Sequence, residues 1–184
     1  MSRRLYATVG ASGIAAVAAV LITTQLAFAS ISAPAWAVVS YFDVKSNSGI
    51  TMLSLATGGD IPRKPDEFVS SNAVAGFAWA DLDTGKVFVT TIHPVLGRDS
   101  NQNPDSWHAH TATLTTGQNG HNFCVASIDS TPTAGISISG DSMSVSVQAS
   151  KLPFAPGDID GAVGFVINPD GACGSGLAVD VTTS

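Results

Sequence analysis

Basic residues are scarce in this sequence. It has only 8 Lys and Arg residues against 14 Asp and Glu residues, and charged residues make up 12% of its 184 positions. A domain that binds nucleic acid needs a basic face to neutralise the phosphates. We therefore expect no nucleic-acid partner.

Cysteine is rarer still, because Cys124 and Cys173 are the only two. So few cysteines exclude a disulfide-dense miniprotein, and a hydrophobic content of 45% excludes a disordered acidic tail. The chain is long enough to bury one ordinary core. We expect a single folded domain over residues 30–184, preceded by a separate N-terminal segment.

The N-terminal segment has the order of a secretory signal peptide. Arg3 and Arg4 precede an apolar run that closes with the pattern Ala-Phe-Ala at residues 27–29. Signal peptides combine a basic start, an apolar middle and a cleavage site of this A-x-A kind. We therefore predict a signal peptide over residues 1–29 and an extracellular or cell-surface location.

Two alternatives for this segment stay open. Residues 35–37 (Ala-Trp-Ala) offer a second cleavage site, and residues 5–29 are long enough to anchor the protein in a membrane if they are not cleaved. Once Arg3 and Arg4 are removed, six basic and fourteen acidic residues remain, a charge of −8 that repels anionic lipid. We expect membrane contact only through this segment.

The two cysteines are predicted to form a disulfide. An oxidising compartment favours pairing of an even number of cysteines, here Cys124 with Cys173. Closing a loop of about fifty residues stabilises a fold by roughly 4 kcal/mol through the entropy of the unfolded chain. The alternative is a pair of free thiols, or one thiol acting as a soft metal ligand.

The rest of the chain has the pattern of strands and turns. Short runs rich in Val, Ile, Thr and Phe recur between clusters of Gly, Pro, Asn and Asp, without the 3.6-residue apolar period of a helix. They predict ten strands, over residues 36–44, 49–55, 74–81, 86–92, 107–114, 121–128, 135–139, 142–149, 161–167 and 177–181. Residues 56–72 are predicted to form a long surface loop. This spacing predicts an all-β domain, an antiparallel β-sandwich of Ig-like or jelly-roll type.

Residues 107–110 (Trp-His-Ala-His) carry the clearest chemical pattern. On a strand, residues two apart share a face, so His108 and His110 project together. Neutral imidazole suits zinc, copper and nickel, but two ligands are too few for a tight site. If strands 86–92 and 107–114 are antiparallel neighbours, His93 lies beside His108. We therefore predict a Cu or Zn site at His93, His108 and His110.

The loop between these strands offers oxygen ligands as well. Asp99 and Asp105 are candidate ligands, and side-chain oxygens at alternate positions are typical of calcium sites. An EF-hand is excluded, because Pro104 stands where that loop requires Gly and His110 stands where it requires a bidentate Glu. Calcium is therefore the less favoured ion. His121 is expected to lie far along the ladder from His110, so we leave it out of the set.

The H-x-H pair on a strand of an exported β-protein with one disulfide is similar to copper/zinc superoxide dismutase and to the CHRD-type domains. The resemblance covers only residues 107–110, and the remaining ligand spacing and the glycine-rich stretches of those dismutases are not matched. We therefore assign the chain to no family.

Three functions remain open from the sequence. The favoured one is a non-catalytic binding or cell-surface protein that holds a transition metal at the histidines, with a partner that the sequence does not identify. The first alternative is a small secreted metalloenzyme that uses the same histidines. The second is a structural or adhesive surface module, in which the histidines are idle. No catalytic residue is assigned, because no nucleophile elbow, Walker loop, Rossmann fingerprint or H-E-x-x-H pattern occurs.

Overall fold

The computed structural model describes residues 33–64, 74–93 and 106–182. These residues form ten β-strands and a few short 3₁₀ turns, so the predicted all-β class is confirmed. The strands are β1 Val39–Asn47, β2 Ile50–Thr57, β3 Val74–Asp81, β4 Lys86–Ile92, β5 His108–Thr116, β6 Phe123–Ser130, β7 Gly135–Ser139, β8 Ser142–Gln148, β9 Gly161–Pro169 and β10 Leu177–Thr182.

All strand pairs are antiparallel, and they form two sheets. Four strands make an open sheet in the order β1-β2-β8-β7, and six make a closed barrel in the order β10-β6-β5-β4-β3-β9. The expected Ig-like or jelly-roll sandwich is not confirmed. The reason is that β9 pairs with both β3 and β10, which joins the two ends of the larger sheet and leaves it without an edge.

Two cores lie on the two faces of the barrel wall. The outer core packs this wall against the open sheet and includes Leu53, Leu55, Phe77, Trp79, Phe88, Met143, Val145 and Val147. The inner core fills the barrel and includes Ala78, Val89, Leu114, Val125, Phe165 and Val179. Full burial of a large apolar side chain contributes about 1.5–3 kcal/mol. Because neighbouring strand residues face opposite ways, Phe88 belongs to the outer core and Val89 to the inner one.

The start of the first strand differs from the prediction. The sequence pattern begins this strand at Trp36, but residues Ala35–Ala37 form a 3₁₀ turn and β1 starts at Val39. The turn follows Pro34, whose carbonyl accepts a hydrogen bond of 2.8 Å from the amide of Ala37. Trp36 still contributes to the fold, since its ring meets Phe77 edge-on at 6.3 Å.

The hairpin between β3 and β4 is held by the side chain of Asp81. Its carboxylate accepts hydrogen bonds from the Thr84 hydroxyl (2.7 Å) and from the amides of Asp83 and Thr84. The Thr84 hydroxyl, followed by these amides, holds the pKa of the Asp81 carboxyl below its usual range. Gly85 completes the turn with φ of +68°, a conformation that glycine adopts without strain. The turn thereby fixes the register of β4.

Several predicted features lie outside the described residues. These are the signal peptide over residues 1–29, its alternative as an anchor over residues 5–29, and the loop residues Asp99 and Asp105. Across 33–64, 74–93 and 106–182, no helix is long and apolar enough to cross a membrane.

Candidate metal centre

Three histidines meet where β4 ends and β5 begins. His93 directly follows β4, and His108 opens β5. The two strands are antiparallel neighbours, with Thr91 opposite His108 and Val89 opposite His110. The predicted pairing of these strands is therefore confirmed, and it brings residues separated by fifteen positions to one end of the barrel.

The imidazole rings of His93, His108 and His110 form a compact cluster. Their ring centroids are 4.7 Å apart for His93 and His108, 4.9 Å for His108 and His110, and 5.8 Å for His93 and His110. One ring nitrogen from each residue can be chosen so that all three lie within 4.8 Å of one another. All three residues are buried, with exposures of 5%, 7% and 6%.

The cluster lies on the inner side of the barrel wall. Directly opposed residues of paired strands share a face, so His110 shares the face of Val89, which packs in the inner core. On β5 the same face continues with Ala112 and Leu114, whereas Ala109 points to the outer core. The histidines thus replace the apolar residues that fill the barrel elsewhere.

Hydrogen bonds orient the ring of His108. Its Nδ1 lies 3.0 Å from the carbonyl oxygen of Ser106. A carbonyl only accepts, so Nδ1 carries the hydrogen, and in the neutral ring Nε2 is left with its lone pair. This Nε2 atom is 3.0 Å from Nε2 of His93. Without an ion, His93 donates its Nε2 hydrogen to His108; a bound cation would take the place of that hydrogen.

A hydroxyl group orients the third ring. Nδ1 of His110 is 3.1 Å from Oγ1 of Thr131, the first residue after β6. An ion bound at Nε2 of His110 would leave the ring hydrogen on Nδ1, which would then donate to the Thr131 hydroxyl. Second-sphere partners of this kind commonly fix the orientation of a ligating histidine. Neither Thr131 nor the carbonyl of Ser106 is indicated by a sequence pattern. Thr131 reaches His110 from the end of β6, and Ser106 lies just before the start of β5.

The start of β5 is held firmly from the outer side. The ring of Trp107 stacks on Phe77 at 5.6 Å with an interplanar angle of 13°. Its indole Nε1 donates a hydrogen bond of 3.1 Å to the carbonyl of Pro62. These contacts restrain the start of β5, the strand that carries His108 and His110.

The donor set fits a transition metal. At bonds of about 2.0–2.1 Å, two ligand nitrogens stand roughly 3 Å apart when cis and roughly 4 Å apart when trans. Nε2 of His93 and Nε2 of His108 already stand 3.0 Å apart, and the three donor nitrogens lie within 4.8 Å of one another. Nitrogen ligands suit zinc and copper, whereas calcium takes oxygen.

The fourth histidine has a different environment. His121 lies in the turn after β5, at the opposite end of that strand from His108. Its Nδ1 is 2.9 Å from a carboxylate oxygen of Asp180, and its Nε2 is 3.5 Å from Asp170. Leaving His121 out of the metal set agrees with this placement.

The predicted disulfide is confirmed. Cys124 and Cys173 are bonded, with a Cα–Cα distance of 5.4 Å, and both are buried. Neither sulfur is therefore a free thiol or a metal ligand. The bond links β6 to the segment between β9 and β10.

Within the part of the chain that the structure describes, these three histidines are the single group of three or more His, Cys, Asp or Glu residues with metal-ligand spacing. The group contains nitrogen donors alone. The chain matches no known protein family, no curated protein and no solved structure.

Proposed function

We propose that this protein is an exported, non-catalytic binding domain that holds one Cu(II) or Zn(II) ion at His93, His108 and His110. The observation that carries the proposal is the convergence of three buried imidazoles at one end of the barrel. Three imidazoles are a common ligand set for zinc.

The face of β5 that carries His108 and His110 does not need imidazoles in order to fold. Hydrogen bonds to Ser106, to Thr131 and between His93 and His108 compensate the burial of these rings, so burial by itself does not favour an ion. Ala112 and Leu114 show that apolar residues fill the same face of β5. The fold alone therefore does not account for three imidazoles here, whereas a metal site requires them.

Two features support export. The N-terminal sequence has the order of a signal peptide, and the disulfide between Cys124 and Cys173 is of a kind that persists in oxidising compartments. A net charge of −8 after cleavage favours solubility.

Elemental analysis tests the proposal. The purified protein is incubated with excess zinc or copper chloride, separated from free ion and analysed for metal. We expect close to one ion per chain, and metal near background in the His108→Ala variant, because two imidazoles hold an ion weakly. His121→Ala is the matched control, since it removes an imidazole outside the cluster and should leave the metal content unchanged. Equal metal content in the wild type and His108→Ala would contradict the proposal.

A further inference from the structure

The barrel wall has a gap beside the histidine cluster. On one side, β5 pairs with β4 from His108 onward. On the other side, its pairing with β6 begins only at Thr111, opposite Ser130. Among the described residues, the backbone of residues 108–110 therefore pairs with β4 but not with β6.

A small cavity occupies this gap. Its volume is about 160 Å³, and it is lined by residues 107–109 on one side and by residues 131–134 on the other. At roughly 30 Å³ per water molecule, this is room for a ligand of a few heavy atoms. The lining includes both His108, a proposed ligand, and Thr131, the partner of His110.

The charge of the proposed centre favours an anion in this cavity. Imidazoles are neutral ligands, so a divalent ion bound by these three alone, without the predicted loop ligands Asp99 and Asp105, keeps its full charge of +2. Of the described residues that line the cavity, none is a carboxylate, and two, Thr131 and Thr133, carry hydroxyl groups. The indole of Trp107 also lines the cavity but already donates to the carbonyl of Pro62. A buried charge is stabilised by a counter-charge, and a hydroxyl can donate to an anion.

We propose that this gap admits a small anion, of the size of azide or a carboxylate group, which takes a coordination position on the ion held by His93, His108 and His110. Three protein ligands leave a position that such a donor can fill. Thr131 is the positioning residue: its hydroxyl contacts His110 and faces the cavity. The proposal rests on the proposed metal site and adds to it an open position and the class of ligand.

Azide titration of the copper-loaded protein tests this inference. Azide bound to Cu(II) gives an intense charge-transfer band in the visible range and changes the electron paramagnetic resonance spectrum. We expect saturable binding of azide and competition by acetate. Thr131 also orients His110, so copper is added to saturation and azide affinity is measured per bound copper ion. On that basis Thr131→Val should weaken azide binding roughly tenfold, because a hydrogen bond to a charged group is lost. Thr131→Ser keeps the hydroxyl and should retain the affinity.

Thr113→Val is the matched control. Thr113 lies on the same strand but faces outward, where its hydroxyl bonds Asp129, so its loss should not change azide affinity. If copper binds with wild-type stoichiometry but azide leaves both spectra unchanged, the open position is refuted while the metal site stands. If azide binds with equal affinity to the wild type and to Thr131→Val, azide does not bind in the gap beside Thr131. A protein that takes up neither copper nor zinc would overturn both proposals.

Discussion

Nε2 of His93 lies 3.0 Å from Nε2 of His108, although fifteen positions separate the two residues in the sequence. The antiparallel pairing of β4 with β5 brings them together, and the hydrogen bond from His108 Nδ1 to Ser106 fixes which nitrogen faces the neighbour. Two nitrogens at this spacing share one hydrogen or one cation. The close spacing of these two nitrogens is therefore the main geometric support for the proposed metal site.

Zinc is expected to stabilise the protein through this cluster. A ligand that binds only the folded state at a hundred times its Kd adds about 2.7 kcal/mol to the free energy of unfolding. For a domain of this size, that corresponds to a rise in Tm of roughly 5–10 °C. Differential scanning calorimetry with and without zinc measures the shift, and a chelator should reverse it.

His110→Leu separates a metal ligand from a structural histidine. If His110 serves metal binding, its replacement by an apolar residue abolishes the zinc-dependent rise in Tm. The metal-free variant should stay within about 1 kcal/mol of the metal-free wild type, because Thr131, the partner left behind, is exposed and can bond to water instead. Denaturant unfolding in the presence of a chelator measures this difference. A loss of about 3 kcal/mol or more would indicate that the hydrogen bond to Thr131 holds the fold instead.

Removal of the disulfide should destabilise the fold without emptying the metal site. The double variant Cys124→Ser, Cys173→Ser is expected to lose roughly 4 kcal/mol, given the loop that the bond closes. Zinc stoichiometry should persist under native conditions, because Cys124 lies opposite Thr115, near the end of β5 remote from His108. Denaturant unfolding and elemental analysis measure the two properties. Loss of zinc from a variant that remains folded would show that the two ends of β5 are coupled.

Asp81 should make stability depend on pH at the acidic side. The Thr84 hydroxyl and the turn amides lower the pKa of this carboxyl in the folded state. The stabilisation is therefore present above its unfolded pKa of about 3.9 and is lost as the pH falls through the folded value. We expect Asp81→Asn to have a lower Tm than the wild type at pH 7, and the difference to shrink below about pH 4.

Thermal unfolding monitored from pH 2 to pH 7 measures this effect. Asp83→Asn is the control, since Asp83 is exposed at the same turn. A constant difference in Tm between the wild type and Asp81→Asn over the whole range would refute the role of the ionised carboxylate.

Cleavage of the N-terminal segment is expected after Ala29. The alternative cut after Ala37 would remove Trp36, which packs on Phe77, and Ala37, whose carbonyl accepts a hydrogen bond from Thr182. Intact mass and N-terminal sequencing of the exported protein should therefore give a chain that begins at Ser30. A chain that begins at Val38, or one retained in the membrane with residues 5–29, would refute this prediction.

Much of the local structure follows from the sequence, but the closure of the larger sheet does not. The two-residue period of β8 places Met143, Val145 and Val147 on one buried face, as the pattern predicts. The pairing of β9 with β3 joins segments more than eighty residues apart, and no local pattern encodes which distant strand a strand selects.

The candidate site also has a part that the sequence predicts and a part that it does not. The convergence of His93 with the H-x-H pair needs only alternation and pairing of successive strands, and both hold. The contact of Thr131 with His110 depends on two register shifts between β5 and β6. Bulges of this kind carry no clear sequence signature here. Asp99 and Asp105 stay predictions as further ligands.

X-ray absorption spectroscopy of the zinc- or copper-loaded protein tests the central claim most directly, because it reports the atoms bound to the ion. The proposed site predicts three imidazole nitrogens at about 2.0–2.1 Å, with the multiple-scattering pattern of the rings, and one imidazole fewer in His93→Ala. A spectrum with oxygen ligands alone, or one that His93→Ala leaves unchanged, would contradict it.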